Sequence, residues 1–183
     1  MRHSFFVFSL AILFVWGSSG LLSAQTADMS PQPTSFRGIA MGMSIDDVKT
    51  KLAADPLFLY RGEPDVNLVP QTEQTLIECA GTTFIHRAYF QFEKGKLLIM
   101  ILVLDTQRLD YYGLFTTFSK KYGAPQTLDP QKCVWSFSAV TFSLERPLTV
   151  KYVERKTFES LVQQGAAQTD LEQVSREKFL EQF

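Results

Sequence analysis

Ser44, Ser175, His86, Cys79 and Cys133 are the residues whose type and setting invite a chemical reading. A serine nucleophile on a strand-to-helix elbow needs G-x-S-x-G. Gly42-Met43-Ser44-Ile45-Asp46 supplies the first glycine and lacks the second. Ser44 is better explained as a helix N-cap, its hydroxyl accepting a backbone N–H left free in the first turn. Ser175-Arg176-Glu177-Lys178 spells S-x-x-K without its companion motifs and reads as ordinary tail helix. His86 is the only histidine beyond His3; between Phe84 and Phe90 it reads as a satisfied core histidine. Acidic residues are scattered without the spacing of a catalytic pair, and neither a phosphate-cradling glycine loop nor a zinc-type cysteine pair occurs. The expectation is a protein without catalysis, cofactor or metal.

Cys79 and Cys133 leave two readings open. In an oxidising compartment they are a possible disulfide, and closing so long a loop would stabilise by about 4 kcal/mol in the chain-entropy model. Alternatively they are two buried thiols acting as small apolar residues. The compartment is suggested by the N-terminus, where Arg2 and His3 precede an apolar run over residues 5–16, then Gly17, Ser18, Ser19 and Gly20. That is the order of a secretory signal peptide. Cleavage after Ala24 is preferred over cleavage after Gly20, giving residues 1–24 as signal and a mature charge of −2. No cysteine near either point offers a lipoprotein anchor, and no later stretch is long enough to span a bilayer. Lys and Arg form no block, so no nucleic-acid partner is expected.

The elements that must carry these residues are legible in the pattern. Residues 25–35, with Pro31 and Pro33, read as a flexible leader. Ser44 at N-cap, Asp47 at N3, and Met43 with Val48 as a hydrophobic staple start a helix over residues 45–54, which Asp55-Pro56 ends. Residues 62–74 read as a loop. Strands follow at 75–80, 83–93 and 97–104, with a tight turn at Lys94-Gly95. A second helix carries the stripe Tyr111, Leu114, Phe115, Phe118 and Tyr122; Asp105, Thr106 and Asp110 are all candidate caps. Gly123 and Pro125 close it. A meander occupies residues 132–152, a short helix 158–162, and a charged helical tail 165–183. The order predicts an α+β fold over residues 36–164. In it, two helix-plus-antiparallel-meander units stand in tandem, with the helices packed on one face of the sheet.

The G-M-S entry at Gly42–Ser44, with Val48 and Leu52 following at helix spacing, resembles the small bacterial envelope proteins of the BamE/SmpA type. It is also similar to one unit of the β-lactamase-inhibitor-protein-like fold, in which a helical segment and an antiparallel meander are used in tandem. Lys121-Tyr122-Gly123-Ala124-Pro125 fits the same helix-to-strand junction. Two features depart from the pattern. The lipoprotein cysteine is missing, and the usual L-G-x-P helix exit is replaced by Leu52-Ala53-Ala54-Asp55-Pro56. The resemblance implies a non-catalytic envelope protein and transfers no binding residues.

Residues 97–104 are apolar at every position, as in a strand covered on both faces. Alternation puts Phe84, His86, Phe90, Phe92, Leu97, Ile99, Ile101 and Val103 towards the helices. A second apolar face then carries Ile85, Tyr89, Leu98, Met100, Leu102 and Leu104, and something must cover it. The C-terminal segment or the 62–74 loop would do so in an isolated fold. Otherwise the cover is a protein partner in the envelope, or an apolar small molecule. The expected function is a secreted, periplasmic interaction or assembly protein, with a periplasmic carrier of a hydrophobic small molecule as the alternative.

Overall fold

The structure, a computed structural model, describes residues 32–68 and 74–166. The expected signal peptide, most of the leader and nearly all of the tail lie outside those residues. A small hairpin of β1 (Ser35–Phe36) and β2 (Ile39–Ala40) turns at Arg37 and Gly38, both at positive φ. α1 (Ile45–Ala54) follows, capped as expected: Ser44 Oγ accepts the Asp47 N–H. The Ser44 hydroxyl also donates to the Asp47 carboxylate, so the acid reaches the cap's side chain. At the exit Asp55 accepts the Leu57 N–H and pairs with Arg37, tying the hairpin to the helix end. The Arg37 guanidinium, helped by that N–H, holds the Asp55 carboxyl below its ordinary range against partial desolvation.

β3 (Phe58–Leu59) and β4 (Val66–Leu68) both pair with β5 (Gln74–Gly81). The 62–74 region is thus not wholly loop. A 3-10 turn at Glu63–Asp65 precedes β4, its buried Asp65 holding the Arg61 N–H and guanidinium. β6 (Ile85–Glu93) and β7 (Lys96–Leu104) form the expected hairpin, with Lys94 and Gly95 at φ of 50° and 72° and Glu93 opposite Lys96. Positive φ at both central residues is what such a two-residue turn needs.

α2 (Tyr111–Tyr122) is capped by Asp110, whose Oδ1 accepts the Gly113 N–H at 2.8 Å, and ends at Gly123 with φ 83°. Of the three candidate caps, Asp105 instead closes a turn on the Gln107 N–H. β8 (Thr127–Leu128), β9 (Lys132–Ser136), β10 (Val140–Glu145) and β11 (Thr149–Glu154) complete the sheet. A third helix, α3, occupies described residues 155–166. It begins earlier than the 158–162 expectation because the Glu154 carboxylate accepts the N–H groups of Lys156 and Thr157. It runs on through Gly165, past the expected end at 162.

All strands of the main sheet are antiparallel, in the order β3-β5-β6-β7-β11-β10-β9-β8 with β4 beside β3 on the edge of β5. The class is therefore α+β. The β5–β7 and β8–β11 meanders, preceded by α1 and α2 respectively, join through β7 and β11 at the centre. One sheet face carries a continuous buried row: Ile77, Phe90, Met100, Tyr152, Phe142 and Trp135, one from each strand from β5 across to β9. Val48 and Leu52 of α1 and the aromatic stripe of α2 pack into the same cluster. We call this the inner face.

Candidate interaction surface

Two bulges decide which side chains the sheet turns outwards. In β6 the register steps between Ile85 and Arg87, leaving His86 as the extra residue. In the β6–β7 pair it steps again between Gln91 and Phe92, where Ile99 and Leu97 are their partners and Leu98 is extra. A bulge breaks strict alternation and moves everything beyond it to the other face. Leu97 therefore faces inwards beside Phe92, while from Met100 onwards the inward residues are Met100, Leu102 and Leu104.

This corrects the second apolar face expected from alternation. Ile85, Met100, Leu102 and Leu104 lie in the main core under the helices, and Leu98 is also buried. Tyr89 alone among the six sits half-exposed on the outer face. His86 is exposed at its bulge, not a core histidine, and Phe84 is exposed as well.

The outer face has an apolar patch of its own, in which Ile99 and Ile101, expected towards the helices, join Tyr89. Tyr89 stands opposite Ile101, Gln91 opposite Ile99, and Ile99 opposite Val153. Together with Leu76 across from Gln91, Tyr89, Gln91, Ile99 and Ile101 line an open hollow of about 290 Å³. Gln91 donates to Gln74 at 3.2 Å along one border, and Arg87 pairs with Glu78 along another. Further along the face, over β9–β11, the surface becomes polar. Lys132, Ser143, Lys151 and Arg155 line a second hollow of about 390 Å³ with Phe158 of α3. The outward series of β11 gives the signal that sequence reasoning passed over: Thr149 and Lys151 are followed by Val153, an apolar residue on the wet side.

A cavity of about 580 Å³ opens where β7 changes neighbours. From Ile99 to Val103 its edge pairs with β11. At Leu97 it pairs instead with the 42–43 backbone, through Gly42 N–H to Leu97 O at 2.8 Å and Leu97 N–H to Met43 O at 2.9 Å. Leu98 sits at the fork, Met41, Ala139 and Val140 add apolar wall, and Glu93, Lys96 and Glu154 complete the lining.

Both cysteines are free and buried. Cys79 lies on β5 and Cys133 on β9, five strand steps apart in the sheet. At about 4.8 Å per step that is roughly 24 Å, far beyond the Cα separation of about 7 Å a disulfide tolerates. The disulfide is excluded and the buried-thiol reading holds. Burial, with Asp65 and Glu78 nearby, pushes the Cys79 thiol up to about 12, so almost none is thiolate at neutral pH. Native protein incubated with a thiol reagent should thus label slowly at Cys79. Denatured protein prepared without reductant should label at both cysteines, and mass spectrometry of the intact chain counts them.

Among the described residues no group of three or more His, Cys, Asp and Glu could hold a metal ion, and no helix is long and apolar enough to cross a membrane. Ser44 is occupied as a cap. Nothing here points to catalysis. The fold and surface define an α+β protein built on one large antiparallel sheet, with α1 and α2 on its inner face and an apolar patch on its outer one. The chain belongs to the TP0088 domain family, whose model matches residues 34–164. No curated protein and no solved structure matches it.

Proposed function

We propose that this is a secreted, periplasmic interaction or envelope-assembly protein, and that its protein partner seats on the outer face around Tyr89 and Ile101. The observation carrying the reading is the placement of Leu76, Tyr89, Ile99 and Ile101 around an open hollow on the face opposite α1 and α2. Ile101 is half-buried, so a partner would recover part of the about 1.5–3 kcal/mol that complete burial of an isoleucine contributes. The setting rests on the N-terminal signal pattern and on the G-M-S helix entry that resembles small envelope proteins.

A photo-cross-linker at Ile101, tested in cells, should trap one discrete protein. The adduct should vanish with Tyr89→Asp and should not form from the exposed Lys132 on the polar half. Equal trapping from both positions, or none from Ile101, removes this reading. Ile101→Asp should itself fold, losing the partner while melting within about 1 kcal/mol of the parent, because the carboxylate stays hydrated.

The fork cavity favours a second reading, carriage of an apolar small molecule. Its volume falls within the range of small-molecule sites, and Met41, Leu97, Leu98 and Val140 give it apolar lining. Organic extraction of purified, denatured protein should then release a compound absent from a Leu98→Trp variant, whose indole would occupy the fork.

A further inference from the structure

Arg146 stands between β10 and β11, on the opposite side of the sheet from the proposed partner face. It borders a cleft of about 400 Å³ between the start of α2 and the β8–β9 edge. Tyr111, Tyr112, Phe115 and Leu128 form the walls, and the Cys133 thiol lies within the lining. Tyr112 and Leu128 are 75% and 68% exposed, two large apolar groups left wet at one opening.

The cation in this cleft is unlike its counterparts. Arg37, Arg61, Arg87, Arg108 and Arg155 each pair with a carboxylate. Arg146 pairs with none among the described residues. Its Nε–H donates to the Pro130 carbonyl at 2.8 Å, and its guanidinium carbon lies 4.2 Å from the Tyr111 ring centroid. Those two contacts fix the plane of the guanidinium without using its terminal nitrogens. Tyr111 is fixed in turn, its hydroxyl donating to the Leu144 carbonyl and contacting Cys133 Sγ, each at 3.2 Å. Asp129 lies in the same lining but is turned to the backbone, its Oδ1 accepting the N–H groups of Gln131 and Lys132 at 2.8 Å. A held guanidinium edge beside aromatic walls is suited to a planar anion. Its paired N–H groups match the two oxygens of a carboxylate.

We propose that this cleft binds a small organic anion, a carboxylate carried on an aromatic or apolar body. The carboxylate sits on the terminal N–H groups of Arg146 and the body lies between Tyr112 and Leu128. The assignment needs nothing from the outer face.

The full chain would be titrated by calorimetry with 2-naphthoate and with neutral 2-naphthamide. The carboxylate should bind at least about tenfold more tightly than the amide. Arg146→Met should abolish that preference while leaving amide affinity within about twofold. Tyr112→Ala, at an exposed position, should weaken both probes by several-fold with an unchanged melting temperature. If Arg146→Met does not fold, Tyr112→Glu replaces it, with naphthoate binding expected to fall at least tenfold and amide binding to persist. Equal affinity for the two probes overturns the proposal. So does an absence of naphthoate binding at millimolar concentration. Undiminished naphthoate binding in the folded charge variant would also overturn it.

Discussion

Leu102→Asp and Met100→Asp are expected to leave no folded protein, whereas Ile101→Asp between them folds. Leu102 is 1% exposed and Met100 fully buried, each beneath the helices and each paired across to β6 and β11. Replacing either removes an apolar side chain worth about 2–5 kcal/mol in a core. It also buries a carboxylate without a partner, at a further several kcal/mol unless the group takes up a proton. A domain of this size holds about 5–15 kcal/mol in all, so the combined loss approaches or exceeds it. Ile101 points the other way, into the outer hollow, where an aspartate keeps its water. Soluble yield and circular dichroism of the three variants decide the point. A folded Leu102→Asp beside an unfolded Ile101→Asp would mean that β7 is registered one residue away from the pairing described.

The contrast shows where sequence pattern reaches its limit in this fold. The α1 cap, the Lys94-Gly95 turn and the aromatic stripe of α2 are each set by residues within a few positions of one another, and each was legible. The cap of α2 was narrowed to three acceptors, because choosing Asp110 over Asp105 requires knowing where the chain leaves β7. β8 was missed altogether: Thr127 and Leu128 are exposed and have no alternation to display. The outer patch was misassigned for a different reason. Residues 97–104 are apolar on both faces, so one extra residue at Leu98 reverses the face assignment while leaving the strand equally plausible. Cys79 and Cys133 point to the same limit. Both are buried, yet their separation depends on β11 inserting beside β7, a long-range pairing that strand patterns do not reveal. The arginine cleft has no local signature either, since Arg146 and Tyr111 come together only through that sheet order.

Phe142→Ala should cost about 3–5 kcal/mol, and most of that loss should be felt by α2. The ring is fully buried on β10 and meets Phe118 at 4.9 Å, Tyr122 at 5.4 Å, Trp135 at 5.6 Å and Tyr152 at 4.9 Å between centroids. No residue of α2 is fully buried, so the helix is held by half-buried aromatics gathered around this ring. Removing a phenylalanine from such a site loses its transfer energy and leaves a cavity that neighbouring rings, locked in edge-on pairs, fill poorly. Two polar ties survive, the Trp135 Nε1–H to the Gly123 carbonyl at 2.8 Å and the Tyr111 hydroxyl to the Leu144 carbonyl at 3.2 Å, and each contributes only about 1 kcal/mol. For a domain of this length the loss corresponds to a fall of about 10–15 °C in melting temperature. Trp135 fluorescence should shift to the red before the global transition, as α2 loosens from β9 and β10. Phe142→Leu should recover part of the loss, because a branched aliphatic refills some of the volume. Phe90→Ala is the internal comparison. It lies on the same face but contacts Phe58 at 5.8 Å on the α1 side, so it should destabilise comparably without an early Trp135 shift. If Phe142→Ala melts within 1 kcal/mol of the parent, or both variants move Trp135 alike, α2 is not anchored through this ring.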